Sequence, residues 1–221
     1  MGIASYSGAS SVIKPGVVTS STRPSSPFVG QLIYETDTAS LEAYNGSAWI
    51  TQNALQLVAA ASFSAVTSVQ VNNCFTSTYR NYRIYVDCVG VSGSNMLSMR
   101  LSASGTPSTT GYYSGLNTYD YTASGTWVYS GTTDRVQIMY IGSTGSTSNS
   151  KGSFIDVMRP QLALETDFLS LNNGVNAGVA YRGGLCVSAH TVSTAYDGFT
   201  LINSSGTNIT GAYRVYGLAD S

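Results

Sequence analysis

The segment YRIYVDCVGVSGSNMLSMRLSA, residues 82–103, decides the fold class. In its first half Tyr82, Ile84, Val86 and Cys88 alternate with Arg83, Tyr85, Asp87 and Val89. That is the period-two pattern of a strand with one buried face. In its second half Leu97, Met99, Leu101 and Ala103 share one face, with Ser98, Arg100 and Ser102 on the other. The Gly/Ser/Asn-rich connection 90–95 is expected to join the two runs as a hairpin.

Similar runs recur on both sides. Residues 55–63 read as a first strand, and 118–123 and 127–130 flank a Ser124-Gly125 turn. Further strands are expected at 135–141, 154–159, 163–171, 185–192, 199–202 and 212–217, with residues 142–152 as the longest loop. No stretch holds a 3.6-residue apolar period over three turns, which argues against helices. Many short antiparallel strands need two sheets to bury their apolar faces. The expectation is therefore an all-β chain whose residues 54–221 form an antiparallel β-sandwich, jelly-roll-like in layout.

Composition agrees. Only 10% of the 221 residues are charged, against ~25% in ordinary soluble domains. A net charge of −1, with lysine only at positions 14 and 151, leaves no electrostatic footprint for nucleic acid. No apolar run approaches the ~18 residues of a membrane span, and the first residues lack the basic and apolar regions of a signal peptide. Tyr6 stands where a myristoylation signal needs Ser or Thr. Cys74, Cys88 and Cys186 form no C-x-x-C and cannot all pair, which suits synthesis in a reducing cytoplasm.

Ahead of the sandwich lie two shorter parts. Residues 1–22 are rich in Ser, Gly and Ala and read either as a tail or as an extended arm that orders against a partner subunit. Residues 23–53 read as a three-strand meander, with strands at 31–35, 41–44 and 47–51. Asn45-Gly46 is a two-residue hairpin signal that would pair Leu41 with Ile50 and Ala43 with Ala48; a four-residue loop pairing Tyr44 with Trp49 is the alternative. About thirty residues bury too little apolar surface to stand alone, so copies are expected to pack together or onto the larger domain.

The meander contains Arg23-Pro24, Gly30-Gln31, Tyr34, Thr36-Asp37-Thr38, Tyr44-Asn45-Gly46 and Trp49. In these residues it resembles a segment found near the N-termini of bacteriophage tail-fibre and other virion proteins. The final TGAYRVYGL, residues 210–218, is similar to the closing strand of the jelly-roll modules at phage fibre tips. The resemblance implies a virion structural component, assembled in the host cytoplasm, a homotrimer, and in contact with other tail or capsid proteins. It assigns attachment or oligomerisation to Arg23, Gln31, Tyr34, Asp37, Tyr44 and Trp49.

Motifs for catalysis are missing. The chain has no G-x-S-x-G, no H-E-x-x-H and no calcium-loop pattern. Its single histidine, His190, sits within an apolar strand, and Ser150-Lys151-Gly152 has the wrong order for a phosphate-binding loop. The expectation is no enzyme activity, no catalytic or metal residues and no cofactor. The positive feature is aromatic: Tyr112, Tyr113, Tyr119, Tyr121, Trp127 and Tyr129 lie within one stretch of eighteen residues. Exposed, they would make a stacking platform for sugar rings, with Asn117 and Asp120 hydrogen-bonding hydroxyls. Buried, they would fill the core or a subunit interface. The functional expectation is a tail fibre or similar appendage that attaches through its N-terminus and meets host-surface glycan through the sandwich, without membrane insertion. A capsid decoration or head-fibre protein is one alternative, and a carbohydrate-binding module or depolymerase another.

Overall fold

A computed structural model describes residues 15–52, 55–90, 96–120, 126–141, 151–175 and 181–218. The chain divides into two compact units, residues 1–54 and 55–221. All regular structure among the described residues is β.

The first unit is a four-stranded sheet of β1 (Gly16–Val18), β2 (Leu32–Glu35), β3 (Ser40–Tyr44) and β4 (Trp49–Thr51), in that order. β1 lies inside the segment expected to be a tail or a partner-bound arm; it pairs parallel to β2 of its own chain, Val17 opposite Tyr34. The β3–β4 register corrects the two-residue turn: Tyr44 pairs with Trp49 and Ala43 with Ile50 across a four-residue loop. A type I′ turn needs positive φ at both central residues, and here only Gly46 has it, at 104°. The Asn45 carboxamide instead accepts hydrogen bonds from the Ser47 and Ala48 amides, at 2.9 and 2.8 Å.

The second unit runs β5 (Leu55–Val66), β6 (Ser68–Val71), β7 (Asn81–Gly90), β8 (Met96–Ala103), β9 (Thr106–Pro107), β10 (Tyr112–Asp120) and β11 (Thr126–Thr133). It continues with β12 (Val136–Tyr140), β13 (Lys151–Met158), β14 (Thr166–Val175), β15 (Tyr181–His190), β16 (Gly198–Asn203) and β17 (Ile209–Leu218). Eight strands form one sheet in the order β11-β10-β15-β14-β13-β7-β17-β5. The other sheet has the order β12-β8-β16-β6, with β9 added beside β8. Both are antiparallel, and together they make an antiparallel β-sandwich.

The expected hairpin between residues 82–89 and 96–103 does not form. β7 pairs with β13 and β17, whereas β8 lies in the opposite sheet between β12 and β16. The alternation identified both strands, but it did not show that they belong to opposite sheets. Each strand supplies one apolar face to a shared core: Tyr82, Ile84, Val86 and Cys88 from β7 meet Leu97, Met99 and Leu101 from β8. The two-residue turn with both φ positive occurs instead at Ser104-Gly105, between β8 and β9.

The core carries three free, buried thiols; desolvation pushes those of Cys74 and Cys88 up to about 12. The closing strand β17 explains its own glycines. A Cβ on Gly211 would overlap the Asp87 carbonyl, and one on Gly217 would enter the ring of Tyr79. Overpacking of this kind costs about 1–3 kcal/mol. Gly217→Ala is therefore expected to destabilise the chain by about that much in urea unfolding, and by much less in a Tyr79→Ala background, because the two side chains compete for one space. Equal costs in both backgrounds would refute the contact.

Candidate functional site

The residues singled out in the meander are engaged within their own unit. The Arg23 guanidinium bonds the carboxylate of Glu35, which is fully buried. This contact, helped by the Thr38 hydroxyl at 3.1 Å, holds Glu35 below the usual carboxylate range despite its burial. Asp37 accepts hydrogen bonds from the Ser20 hydroxyl and amide, at 2.6 and 2.9 Å, which lower its pKa. The Gln31 carboxamide accepts from the Phe28 amide, and the Gln31 carbonyl from the Tyr44 amide. Tyr44 packs on Trp49 with ring centres 5.3 Å apart. Tyr34 alone of the six stands free on the surface, 38% exposed.

That last position reveals an inverted sheet. Strand alternation puts Ile33, Glu35, Ser40 and Glu42 on one face, and all four are buried. Their carboxylates are satisfied: Glu42 accepts from Ser40 and Thr51, each at 2.8 Å, and the Ser40 and Thr38 hydroxyls lie 2.6 Å apart. The opposite face carries Val17, Tyr34, Leu41 and Ile50, and these are 69, 38, 37 and 40% exposed. Val17, Tyr34 and Leu41 stand in one cross-strand row, and Ala43 and Ile50 in the next. The polar face is inside and the apolar face outside.

In the sandwich, the expected aromatic platform divides along strand parity. Tyr112 faces inward and is fully buried, its hydroxyl accepting from the Leu101 amide at 2.8 Å, so it belongs to the core and not to a surface site. Tyr113 and Tyr119 face outward, 44 and 59% exposed. Asn117 is largely buried and donates to the Tyr119 hydroxyl at 3.0 Å. Trp127 and Tyr129 lie in β11, opposite Asn117 and Gly115, with side chains outside the described set. Tyr121, the Asp120 side chain and the Ser124-Gly125 turn also lie outside it, as do residues 142–150 of the long loop.

Tyr113 and Tyr119 are one end of a much wider surface. The face of the eight-stranded sheet turned away from the core is open. Leu185, Leu171, Phe154 and Tyr85 follow one another in register across four strands, flanked by Val187 and Leu169. Val187 and Leu171 are about half exposed. Contiguous exposed apolar patches are a general feature of interaction surfaces.

At the β7–β17 end of this face lies a cleft of about 560 Å³. The Tyr85 and Tyr216 rings stand perpendicular in it, with centres 5.8 Å apart. Arg83 is tied to Asp156 by two 2.6 Å contacts and lies over the Phe154 ring at 5.0 Å. Asp87, Asn173 and Arg214 also line the cleft. The side chains of Asp87 and Arg214 hold no hydrogen bond or ion pair among the described residues. Sequence reading missed this cleft because its residues are scattered over four strands. The visible signal was that Tyr85 and Asp87 occupy the outward positions of the alternating run that opens the fold.

His190 is fully buried, its ring tilted against that of Tyr112 with centres 4.2 Å apart, and the Ser108 hydroxyl lies 3.0 Å from its Nε2. Among the described residues no carboxylate hydrogen-bonds its ring, and no group of three His, Cys, Asp or Glu side chains converges on a point. None of the protein families, curated proteins or solved structures compared with the chain matches it.

Burial lowers the pKa of His190 below its ordinary value. The unfolded chain then binds a proton that the fold excludes, so stability is full above about pH 6.5 and declines as pH falls toward the folded value. The loss is at most about 1.4 kcal/mol per pH unit. Denaturant unfolding between pH 7 and pH 5 should show this decline in the wild type and a smaller one in His190→Gln. Parallel pH profiles in the two proteins would refute it.

Proposed function

We propose that the chain is a structural component of a tailed-bacteriophage virion, a tail fibre or similar appendage without catalytic activity. It joins copies of itself, as a homotrimer, through the small sheet, and its sandwich meets the host surface. One observation carries this reading. The residues by which 23–49 resembles a virion segment are those that build the inverted sheet: Arg23 neutralises Glu35, Gly30 and Gly46 take positive φ, Asp37 ties down the strand-bearing arm, and Tyr44 packs on Trp49.

That recipe makes physical sense for a connector. Burying carboxylates and exposing Val17, Tyr34, Leu41 and Ile50 would be a poor arrangement for an isolated monomer. It suits a unit whose apolar face is covered by other copies, since an interface core excludes charge and favours aromatic and aliphatic side chains. The low charge of the whole chain suits residence in an assembly for the same reason.

Light scattering coupled to size exclusion tests the assembly. The full chain should elute with the mass of three copies at micromolar concentration. Leu41→Asp with Ile50→Asp should weaken association by more than about a hundredfold, since each desolvated Leu or Ile contributes about 1.5–3 kcal/mol. The far-ultraviolet β signal of the sandwich should be unchanged. A wild-type monomer, or a trimer indifferent to both aspartates, would refute the reading. Immunogold labelling of particles should place the protein on the tail; label confined to the head would refute the tail assignment.

A further inference from the structure

We infer that the cleft between Tyr85 and Tyr216 on the open face of the eight-stranded sheet is a binding site for a neutral saccharide. Its size falls within the range of small-ligand sites, about 300–1,000 Å³. Its walls are amphipathic in the way a sugar is. A pyranose has faces of C–H groups and a rim of hydroxyls. The C–H groups carry partial positive charge and suit the negative face of an aromatic ring. Two rings held perpendicular at 5.8 Å offer such a face beside an edge, so a sugar seated on one ring is stopped by the other.

The polar groups point the same way. In a chain with so few charges, five arginines, Arg23, Arg83, Arg100, Arg135 and Arg159, are spent in ion pairs. Arg214 and Asp87 nevertheless face one cleft without pairing to each other or to any other described residue. Asp87 offers a bidentate acceptor for vicinal hydroxyls, Arg214 a fork of donors, and Asn173 one of each. The two charges cancel, which favours a neutral sugar over an acidic one. A flat contact with a second copy would leave both charges desolvated and unpaired, at considerable cost. The neighbouring ridge of Leu185 and Val187 lies outside the cleft and lacks these groups, which separates the cleft from the rest of the open face.

Such binding rests on the proposed role of the sandwich at the host surface and deepens it. Saturation-transfer NMR on the full chain tests it, using methyl glycosides of glucose, galactose, mannose, rhamnose and N-acetylglucosamine, with glucuronic and sialic acid as acidic probes. At least one neutral glycoside should receive transfer, strongest at its ring C–H protons. Asp87→Asn and Arg214→Gln lie on the surface and leave the core untouched; each should weaken that binding by about tenfold or more, the equivalent of one lost charged hydrogen bond. Tyr216→Ala should abolish it, and Tyr119→Ala, at the far end of the sheet, should leave it intact. Transfer to none of the probes, transfer only to the acids, or transfer that survives both charge substitutions would overturn the inference. A trimer that binds no sugar would overturn this site alone, and a monomer that binds sugar would overturn the assembly alone.

Discussion

A β-sheet has two faces, and this chain has apolar side chains for more faces than one copy can cover. That constraint shapes the whole molecule. The sandwich resolves it for one pair of faces: β7, β10, β13, β14 and β15 close over β8, β12 and β16 around Leu97, Leu101, Ile138 and Phe199. Two further faces, on the small sheet and on the outside of the eight-stranded sheet, keep Leu, Ile, Val and Tyr open.

The small sheet is the more telling of the two. Ile33 is the only large apolar residue fully buried in it, beside Glu35, Ser40 and Glu42. Its cohesion comes from hydrogen bonds: Arg23 and Thr38 to Glu35, and Ser40 and Thr51 to Glu42. Removing one member of such a network leaves a buried charge unmatched, which costs more than the pair contributes. The network frees the other face from folding duty, and Val17, Tyr34, Leu41 and Ile50 become available for association. The two open faces have different chemistry. The small one is uniformly apolar, whereas the large one ends in a cleft that adds Asp87 and Arg214, whose side chains are unpaired among the described residues, to its aromatics.

Much of this was legible in the residues. Period-two alternation located β7 and β8 nearly to the residue, and with them the all-β sandwich. It could not say that β7 and β8 lie in opposite sheets, because a run of small polar residues between two strands serves a hairpin and a crossover equally well. Asn45-Gly46 looked like a two-residue turn, but Tyr44 and Trp49 gain a ring contact from the longer loop, and that contact sets the register. Tyr112 and Tyr113 are neighbours in a run of aromatics, and strand parity sends one into the core and the other to the surface. The Tyr85–Tyr216 cleft was hidden for a different reason. β7 and β17 are more than a hundred positions apart, and only the sheet order makes them adjacent.

The central claim is that the apolar face of the small sheet is covered when the protein is assembled. Hydroxyl-radical footprinting of the full chain at micromolar concentration reads this directly, residue by residue. With loop residue Leu164, half exposed, as the reference, Tyr34, Leu41 and Ile50 should be oxidised several-fold more slowly than their exposure in a single chain implies. They should recover the faster rate on dilution to monomer. Oxidation of all three at the rate of Leu164, independent of concentration, would contradict the account.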